Sequence, residues 1–166
     1  MDEVFLSLGS NMGDRKANLL RALELLKCPG IEILALSGIY ETAPWGFVTE
    51  NNFFNMVATA ATTLGPDEFL AEIGRVERLM GRQRKASGAR YESRPIDIDI
   101  LFFGEWIIDT GHLVVPHPRL HERRFVLVPL SEIAPRRVHP VFGRTISELL
   151  GDCDDELSVT PAGKLV

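Results

Sequence analysis

Short apolar runs and an amphipathic segment alternate in the N-terminal half of the chain. Residues 4–8 (VFLSL) predict a first strand, and the GSNMGD sequence after them favours a tight turn. Residues 14–27 predict a first helix, because their apolar side chains recur at helical spacing with charges on the other side. Residues 31–40 and 53–63 return to strand character, with a long polar stretch between them.

A second helix and an unusual strand follow. The Gly-Pro-Asp run at residues 65–67 marks a helix start, since proline suits the first turn and acids are favoured there; the apolar spacing continues to residue 81. The run SRPIDIDILFFG (residues 93–104) then predicts a buried strand interrupted by two aspartates. The Gly-Glu pair at residues 104–105 is typical of a hairpin turn between LFF and WII.

The order of these elements, β-α-β-β-α-β with an added hairpin, indicates the fold class. It is typical of an α+β protein with a ferredoxin-like sandwich, in which helices pack on one face of an antiparallel sheet. Residues 115–140 predict one or two short helices, broken by Pro129 and Pro135. We expect one domain over residues 1–166, with a mobile acidic tail over residues 151–166.

Charge and composition exclude several classes of function. A net charge of −5 disfavours binding to nucleic acid or to an anionic membrane. No apolar stretch approaches the roughly 18 residues of a membrane span, and the acidic start does not resemble a signal peptide. Cys28 and Cys153 match neither a disulfide framework nor metal-ligand spacing. We therefore expect a cytoplasmic protein that binds neither nucleic acid nor a membrane; we also expect it to be a monomer.

The two aspartates of the fourth predicted strand are its main chemical feature. Residues two apart on a strand share a face, so Asp97 and Asp99 present their carboxylates side by side. The neighbouring isoleucines face the opposite way, into the core: Ile96, Ile98 and Ile100. Two adjacent carboxylates repel each other unless a cation joins them, and Mg²⁺ prefers carboxylate oxygen together with phosphate and water. A metal site is one interpretation; an edge strand with a solvated polar face is the other.

A basic segment, GRQRKASGARYESR (residues 81–94), precedes this strand. Its cations are Arg82, Arg84, Lys85, Arg90 and Arg94. Taken alone, the segment is also compatible with a solvated loop or a nucleic-acid patch. Next to a pair of carboxylates, it favours a polyanionic, metal-bound ligand such as a nucleoside triphosphate. The chain has no GxxxxGK[ST] sequence, which excludes a P-loop fold.

Six motifs lie in one order along residues 4–135. They are GSNMGD (9–14), YETAPWG (40–46), FFN (53–55), GRQRK (81–85), RPIDIDIL (94–101) and VPHPRLHERRFVLVPLSEIAP (115–135). In this order and spacing the chain resembles the 6-hydroxymethyl-7,8-dihydropterin pyrophosphokinase family. The resemblance implies a ferredoxin-like fold and an enzyme of folate biosynthesis. Such an enzyme transfers pyrophosphate from ATP to the hydroxymethyl group of the reduced pterin and releases AMP.

The resemblance also implies roles for residues around the triphosphate. Asp97 and Asp99 match the ligands of two Mg²⁺ ions, and Arg82 and Arg94 match catalytic arginines. The positions that match nucleotide-binding residues are Glu77, Arg84, Tyr91, Ile100, His117 and Arg123. For His117, which lies between two prolines, a turn residue with a local hydrogen bond is the alternative.

A second set of residues matches the pterin site of the family. They are Thr42, Pro44, Trp45, Gly46, Phe53, Asn55 and Phe125. The resemblance implies that Phe53 and Phe125 stack on the flat pterin, that Asn55 reads its polar edge, and that the loop beginning at Thr42 supplies backbone contacts. For the two phenylalanines, ordinary core packing is the alternative. Asn55 is more informative, since it interrupts an apolar strand.

The chain departs from the family pattern at several positions. Residues 91–94 read YESR where the family usually has WGPR, and Glu92 puts a negative charge beside the phosphate path. His112 occupies a position where a permanently basic residue often binds phosphate, and Trp45 replaces a smaller aliphatic residue. These departures affect the expected nucleotide affinity and its pH dependence more than the reaction type.

Two alternatives remain at the level of the sequence. One is a metal-dependent phosphotransferase acting on a different hydroxylated substrate. The other is a non-catalytic module, because ferredoxin-like sheets with surface aromatics and arginines also bind single-stranded RNA. Such a module has no use for two aspartates on its ligand face, so metal-dependent ATP binding distinguishes the two classes.

Overall fold

The computed structural model describes residues 1–43, 52–81 and 95–165, which form an antiparallel sheet with helices on both faces. Its elements in chain order are β1 (Asp2–Ser10), α1 (Arg15–Leu26), β2 (Ile31–Leu36), β3 (Tyr40–Thr42), β4 (Phe53–Thr62), α2 (Pro66–Leu79), β5 (Asp97–Phe103), β6 (Ile108–Asp109), β7 (Val114–Val115), a 3₁₀ helix (Leu120–Glu122), α3 (Arg124–Ile133), α4 (Ile146–Asp152) and β8 (Val159–Pro161). This order confirms the predicted α+β, ferredoxin-like arrangement.

The main sheet has the strand order β5-β1-β4-β3-β8, and β2 also pairs with β4. The single strand predicted over residues 31–40 is therefore two strands, which pair with different parts of β4. The break lies at Ser37, whose backbone N–H donates to the Val57 carbonyl (2.8 Å) and whose hydroxyl accepts from the Val57 N–H (2.8 Å). The Ser37 side chain thus replaces a backbone acceptor where the ladder is interrupted.

Strand β5 confirms the predicted alternation of its side chains. Ile98 and Ile100 are buried in the cluster that α1 and α2 cover, whereas Leu101 belongs to the cluster on the opposite face, the face of Asp97 and Asp99. The register shifts beyond Ile100, which leaves Leu101 as an extra residue in a bulge. Leu101 and Phe102 consequently both join the second cluster.

Helices cover both faces of the sheet, not one face as predicted. α1 and α2 bury their apolar stripes against one face, through residues such as Leu23 and Phe69. α3 and α4 cover part of the other face through Val126, Leu127, Leu130, Ile146 and Leu149. The part of this second face that they leave uncovered carries the two aspartates of β5.

Two local predictions were wrong. A turn does follow β5, since the Trp106 N–H donates to the Phe103 carbonyl (3.0 Å), but the hairpin forms later, between β6 and β7. The helix α3 is not broken by Pro129, which lies inside it with a buried side chain. Burial of the apolar face of α3 offsets the hydrogen bond that proline removes.

The acidic tail, for which we expected mobility, contains a strand that the sequence did not predict. β8 pairs with β3, with Val159 opposite Thr42 and Pro161 opposite Tyr40. The Ala162 N–H continues the contact by donating to the Ile39 carbonyl (2.7 Å).

Every helix within the three described ranges is too short or too polar to cross a bilayer.

Candidate active site

The predicted metal and pterin residues share one face of the sheet. Gly9 on β1 is paired with Asp97 on one side and with Asn55 on the other, and Asn55 is in turn paired with Tyr40. Residues paired directly across antiparallel strands point to the same face, and neighbouring strands lie about 4.8 Å apart. The backbones of Asp97 and Asn55 are therefore about 10 Å apart, with only a glycine between them.

Gly9 lies between the predicted metal and pterin residues, and the sequence analysis assigned it only to the turn after β1. A Cβ at this position would lie 2.7 Å from Asn55 Oδ1 and 3.4 Å from Phe53 Cδ1. Glycine is therefore needed for Asn55 and Phe53 to occupy their positions. A glycine inside a strand often marks a position where another group lies close to the backbone, and the glycine at the end of the first predicted strand was such a signal.

Asn55 and Thr42 form a buried polar pair at the predicted pterin end. Asn55 Nδ2 donates to Thr42 Oγ1 at 2.6 Å. The two residues are 4% and 3% exposed, respectively. The hydrogen bond fixes the orientation of the amide, which leaves Asn55 Oδ1 over Gly9. Phe53 is paired with Thr42, so the segment between β3 and β4 begins and ends beside this pair.

The carboxylates of Asp97 and Asp99 are half-buried at the edge of the main sheet. Among residues 1–43, 52–81 and 95–165, no group of three or more His, Cys, Asp or Glu side chains is arranged to hold a metal ion. Two hard carboxylates alone do not fit a closed zinc site, which takes four protein ligands. They fit Mg²⁺, which is commonly held by one or two carboxylates and completes its shell with water and phosphate.

His117 lies beside this pair, and hydrogen bonds fix both its backbone and its ring. Its backbone N–H donates to the Leu101 carbonyl (2.9 Å), and its Nδ1 accepts from the Arg119 N–H (3.1 Å). Burial lowers the pKa of His117 to about 4, with the Arg123 charge acting in the same direction and the Asp97 charge opposing it. The imidazole is neutral at pH 7, and its proton is on Nε2 because Nδ1 is an acceptor.

Three further residues predicted for the nucleotide site are described: Glu77, Ile100 and Arg123. Glu77 on α2 accepts a hydrogen bond through Oε2 from the N–H of Ile98 (3.1 Å). Ile98 is the residue between the two aspartates in the sequence. Arg123 ends the 3₁₀ helix, and its guanidinium carbon lies 5.6 Å from the centroid of the half-buried Phe125 ring. The side chain of Ile100 is buried in the core, so a nucleotide could contact this residue only through its backbone.

The other predicted site residues lie outside the described residues. They are Pro44, Trp45 and Gly46 of the pterin loop, and Arg82, Arg84, Tyr91 and Arg94 of the basic segment. Of the departures from the family pattern, His112 is described: its Nε2 lies 3.1 Å from Asp67 Oδ1, and both side chains are exposed.

Arg15 is a second residue that the sequence analysis missed. It lies at the start of α1, where Nη1 contacts Glu41 Oε2 at 2.7 Å and donates to the Asn52 carbonyl at 3.0 Å. Its guanidinium carbon lies 3.8 Å from the centroid of the Phe54 ring. Arg15 therefore contacts both flanks of the predicted pterin loop, at the end of β3 and at the start of β4.

Comparisons with known proteins agree with the resemblance found in the motifs. Residues 5–135 match the family described as 7,8-dihydro-6-hydroxymethylpterin-pyrophosphokinase (HPPK). The 2-amino-4-hydroxy-6-hydroxymethyldihydropteridine pyrophosphokinase of Aquifex aeolicus is 42% identical over 148 residues, covering 89% of this chain and 90% of that protein. The protein of the same name from Porphyromonas gingivalis is 44% identical over 138 residues, covering 82% and 93%.

Some relatives are longer than this chain. The mitochondrial folate synthesis bifunctional protein of Pisum sativum is 45% identical over 132 residues, which cover 80% of this chain and 25% of that protein. A solved structure of an HPPK-DHPS in complex with substrates aligns with a TM-score of 0.72 at 18% identity, over 91% of this chain and 43% of that one.

A Plasmodium falciparum HPPK-DHPS aligns with a TM-score of 0.71 at 20% identity, over 92% and 43% of the two chains. At such identities the solved structures support the fold alone, which is the fold predicted from the order of elements. The sequence match is the stronger result, because it spans most of the chain and includes the aspartate strand. The chain therefore belongs to the HPPK family of pterin pyrophosphokinases.

Proposed function

We propose that the protein transfers pyrophosphate from ATP to the hydroxymethyl group of 6-hydroxymethyl-7,8-dihydropterin, giving the pterin diphosphate and AMP in folate biosynthesis. Membership of the HPPK family supports this reaction. The structural observation that carries it is the row of Asp97, Gly9 and Asn55 on one sheet face. The row combines a carboxylate suited to a metal–triphosphate complex with an amide suited to a heterocycle.

The pterin half of the site contains Asn55, Thr42, Phe53 and Phe125. A pterin has a flat aromatic face and an edge of donors and acceptors, so it needs both stacking surface and fixed polar partners. The buried amide of Asn55 is held in one orientation by Thr42, which is the preorganisation that edge recognition requires. Pro44, Trp45 and Gly46 are assigned to this half on the family resemblance alone.

The nucleotide half contains His117, Arg123 and Glu77 beside β5. His117, neutral and protonated on Nε2, is a hydrogen-bond donor without a charge, while Arg123 supplies a permanent cation. Glu77 connects α2 to the backbone of β5 through its Oε2, and its contact with the nucleotide is assigned on the resemblance. Arg82, Arg84, Tyr91, Arg94 and the backbone of Ile100 are assigned to this half on the resemblance alone.

Asp97 and Asp99 are the residues that would hold Mg²⁺, two ions according to the resemblance. Bound Mg²⁺ supplies neutralisation of phosphoryl charge and favours ionisation of the attacking alcohol. The pterin hydroxyl oxygen attacks the β-phosphorus, the bond from the β-phosphorus to the α,β-bridging oxygen breaks, and AMP leaves while the hydroxyl proton passes to solvent. No covalent intermediate on the protein is needed, so positioning by these side chains is their main contribution.

The test is AMP formation from ATP, Mg²⁺ and 6-hydroxymethyl-7,8-dihydropterin. We expect AMP and pterin diphosphate in equal amounts, no AMP without the pterin, and none when the metal is chelated. Equal turnover with non-pterin alcohols would instead favour the alternative phosphotransferase. Metal-independent binding of single-stranded RNA without AMP formation would favour the RNA module. The cytoplasmic location and the monomeric state stay predictions from the sequence.

A further inference from the structure

The acidic tail contacts the start of α3. Asp155 accepts a hydrogen bond from the Arg124 N–H through Oδ2 (3.1 Å) and one from the Leu157 N–H through Oδ1 (3.0 Å). Asp155 is half-buried, whereas its neighbours Asp154 and Glu156 are exposed. The tail lies beyond residues 5–135, the part of the chain that matches the family.

The residue before α3 supplies no side-chain acceptor at this end of the helix. The first N–H groups of a helix lack partners within the helix, and they are usually satisfied by a side chain at the preceding residue. That residue is Arg123, whose side chain makes no capping hydrogen bond. A carboxylate at this end also compensates the positive end of the helix dipole. Asp155 supplies both functions from 31 positions away in the sequence.

The same stretch of tail reaches the other side of the pterin half. Four residues after Asp155, Val159 pairs with Thr42, the partner of the Asn55 amide. Phe125 follows Arg124 directly, in the first turn of α3. Residues 155–161 therefore connect the backbone next to one proposed stacking ring with β3, the strand that carries Thr42.

We infer that Asp155 is a positioning residue for the pterin half, which keeps the first turn of α3, and with it Phe125, in place. This inference rests on the proposed function. The nucleotide half depends less on Asp155, because the Arg123 N–H is bonded to the Leu120 carbonyl in the preceding 3₁₀ helix (3.4 Å). Loss of the Asp155 cap should therefore raise KM for the pterin more than KM for ATP.

The test compares Asp155→Ala and Asp155→Asn with Asp154→Ala, which removes the same charge from an exposed neighbour. In the AMP-formation assay, Asp155→Ala should raise KM for the pterin about 3-fold to 10-fold, the range expected when one helix cap is lost. KM for ATP and kcat should stay within about 2-fold. Asp155→Asn should recover only part of the loss, because its single amide oxygen can accept from the Arg124 N–H but not also from the Leu157 N–H, and it carries no charge. Asp154→Ala should match the parent.

Amide hydrogen exchange at Arg124 and Phe125 gives a measurement independent of activity. Exchange there should be faster in Asp155→Ala than in the parent or in Asp154→Ala. The inference is overturned by unchanged exchange, by a parent-like pterin KM, by an equal effect of Asp154→Ala, or by a parallel rise of both KM values. Failure of the proposed function is distinguishable, because the parent protein itself would then form no AMP with the pterin.

Discussion

Thr42 Oγ1 accepts a hydrogen bond from Asn55 Nδ2 at 2.6 Å, and both residues are almost fully buried. Thr42 is therefore a support for the amide and not only a source of backbone contacts, the role that the family resemblance implies. If Thr42 lost its hydroxyl, a buried N–H of Asn55 would lose its acceptor, and the amide would be free to change its orientation.

Replacing Thr42 by valine should lower both stability and pterin affinity. An unsatisfied buried donor costs about 1–3 kcal/mol, so the free energy of unfolding in urea should fall by about that amount. Thr42→Ser keeps the hydroxyl and serves as the control. Equal stability and equal pterin affinity in the valine and serine variants would show that the hydrogen bond does not support the amide.

Gly9→Ala should weaken pterin binding by at least about 10-fold while changing ATP binding much less. The added Cβ would lie 2.7 Å from Asn55 Oδ1, so the amide has to move from the position that Thr42 fixes. Overpacking of this kind also destabilises by about 1–3 kcal/mol. Calorimetric titration of each substrate and thermal unfolding measure the two effects.

The control for Gly9→Ala is Gly151→Ala in α4. A Cβ at Gly151 meets no atom within 4 Å, and alanine is the better helix former, so this variant should be as stable as the parent or slightly more stable. Parent-like pterin binding by Gly9→Ala would mean that Asn55 can shift without loss, and the amide would then not read the pterin edge.

The local part of the site follows from the sequence, but its assembly across strands does not. The period of two along β5 was enough to assign Asp97 and Asp99 to one face, since the isoleucines that alternate with them had to enter the core. Strand register, in contrast, depends on partners far away in the chain. The alignment of Gly9 with both Asp97 and Asn55 was therefore not predictable from any one segment.

The errors in the predicted fold have a related cause. The short strand β8 contains Pro161 and carries no alternating apolar pattern, so its pairing with β3 is determined by tertiary contacts. Asp155 looks like one of several acids in a solvated tail, and only the structure shows that its carboxylate caps α3. The prediction that Pro129 breaks the helix is wrong because local propensity does not include the burial of α3.

Removing either carboxylate of β5 should abolish turnover without unfolding the protein. Asp97→Ala or Asp99→Ala should lower kcat by at least about 100-fold, the effect of losing one preorganised electrostatic group. The Mg²⁺ concentration for half-maximal activity should rise where residual activity allows it to be measured. Circular dichroism checks the fold, and Asp109→Ala, at an exposed position on β6, is the matched control. Loss of activity together with global unfolding would instead indicate a structural role for the pair.

The low pKa of His117 predicts loss of stability on acidification. Its pKa is about 4 in the folded protein and 6.5 when unperturbed, so the unfolded chain takes up the proton first as the pH falls. The contribution of His117 to stability is therefore complete above about pH 6.5 and decreases toward pH 4, by on the order of 3 kcal/mol.

Urea unfolding of the parent and of His117→Gln between pH 4 and pH 8 measures this contribution. Glutamine does not titrate, so the variant should lose less stability over this range. Because the imidazole is neutral and donates from Nε2, glutamine should also preserve more ATP affinity at pH 7 than alanine does. Identical pH dependence of parent and variant would mean that His117 is not protected from protonation.

Arg15→Ala should raise KM for the pterin by about 3-fold to 10-fold and leave KM for ATP near the parent value. Arg15 contacts Glu41 on β3 and the Asn52 carbonyl before β4, and it stacks on Phe54; its loss therefore releases both flanks of the predicted pterin loop. The contacts lie on the sheet face opposite Asn55, so the effect on the substrate would be indirect.

Two further variants distinguish this positioning role from a general effect of charge. Lys16→Ala removes the same charge from the next residue, which is exposed, and should match the parent. Arg15→Lys should rescue only partly, because a lysine ammonium is a point charge that cannot stack on Phe54 as a planar guanidinium does while also bonding Glu41 and the Asn52 carbonyl. If Arg15→Lys had the parent KM for the pterin, the charge of Arg15 alone would explain its effect. If Arg15→Ala raised KM for the pterin and KM for ATP equally, Arg15 would not act specifically through the flanks of the pterin loop.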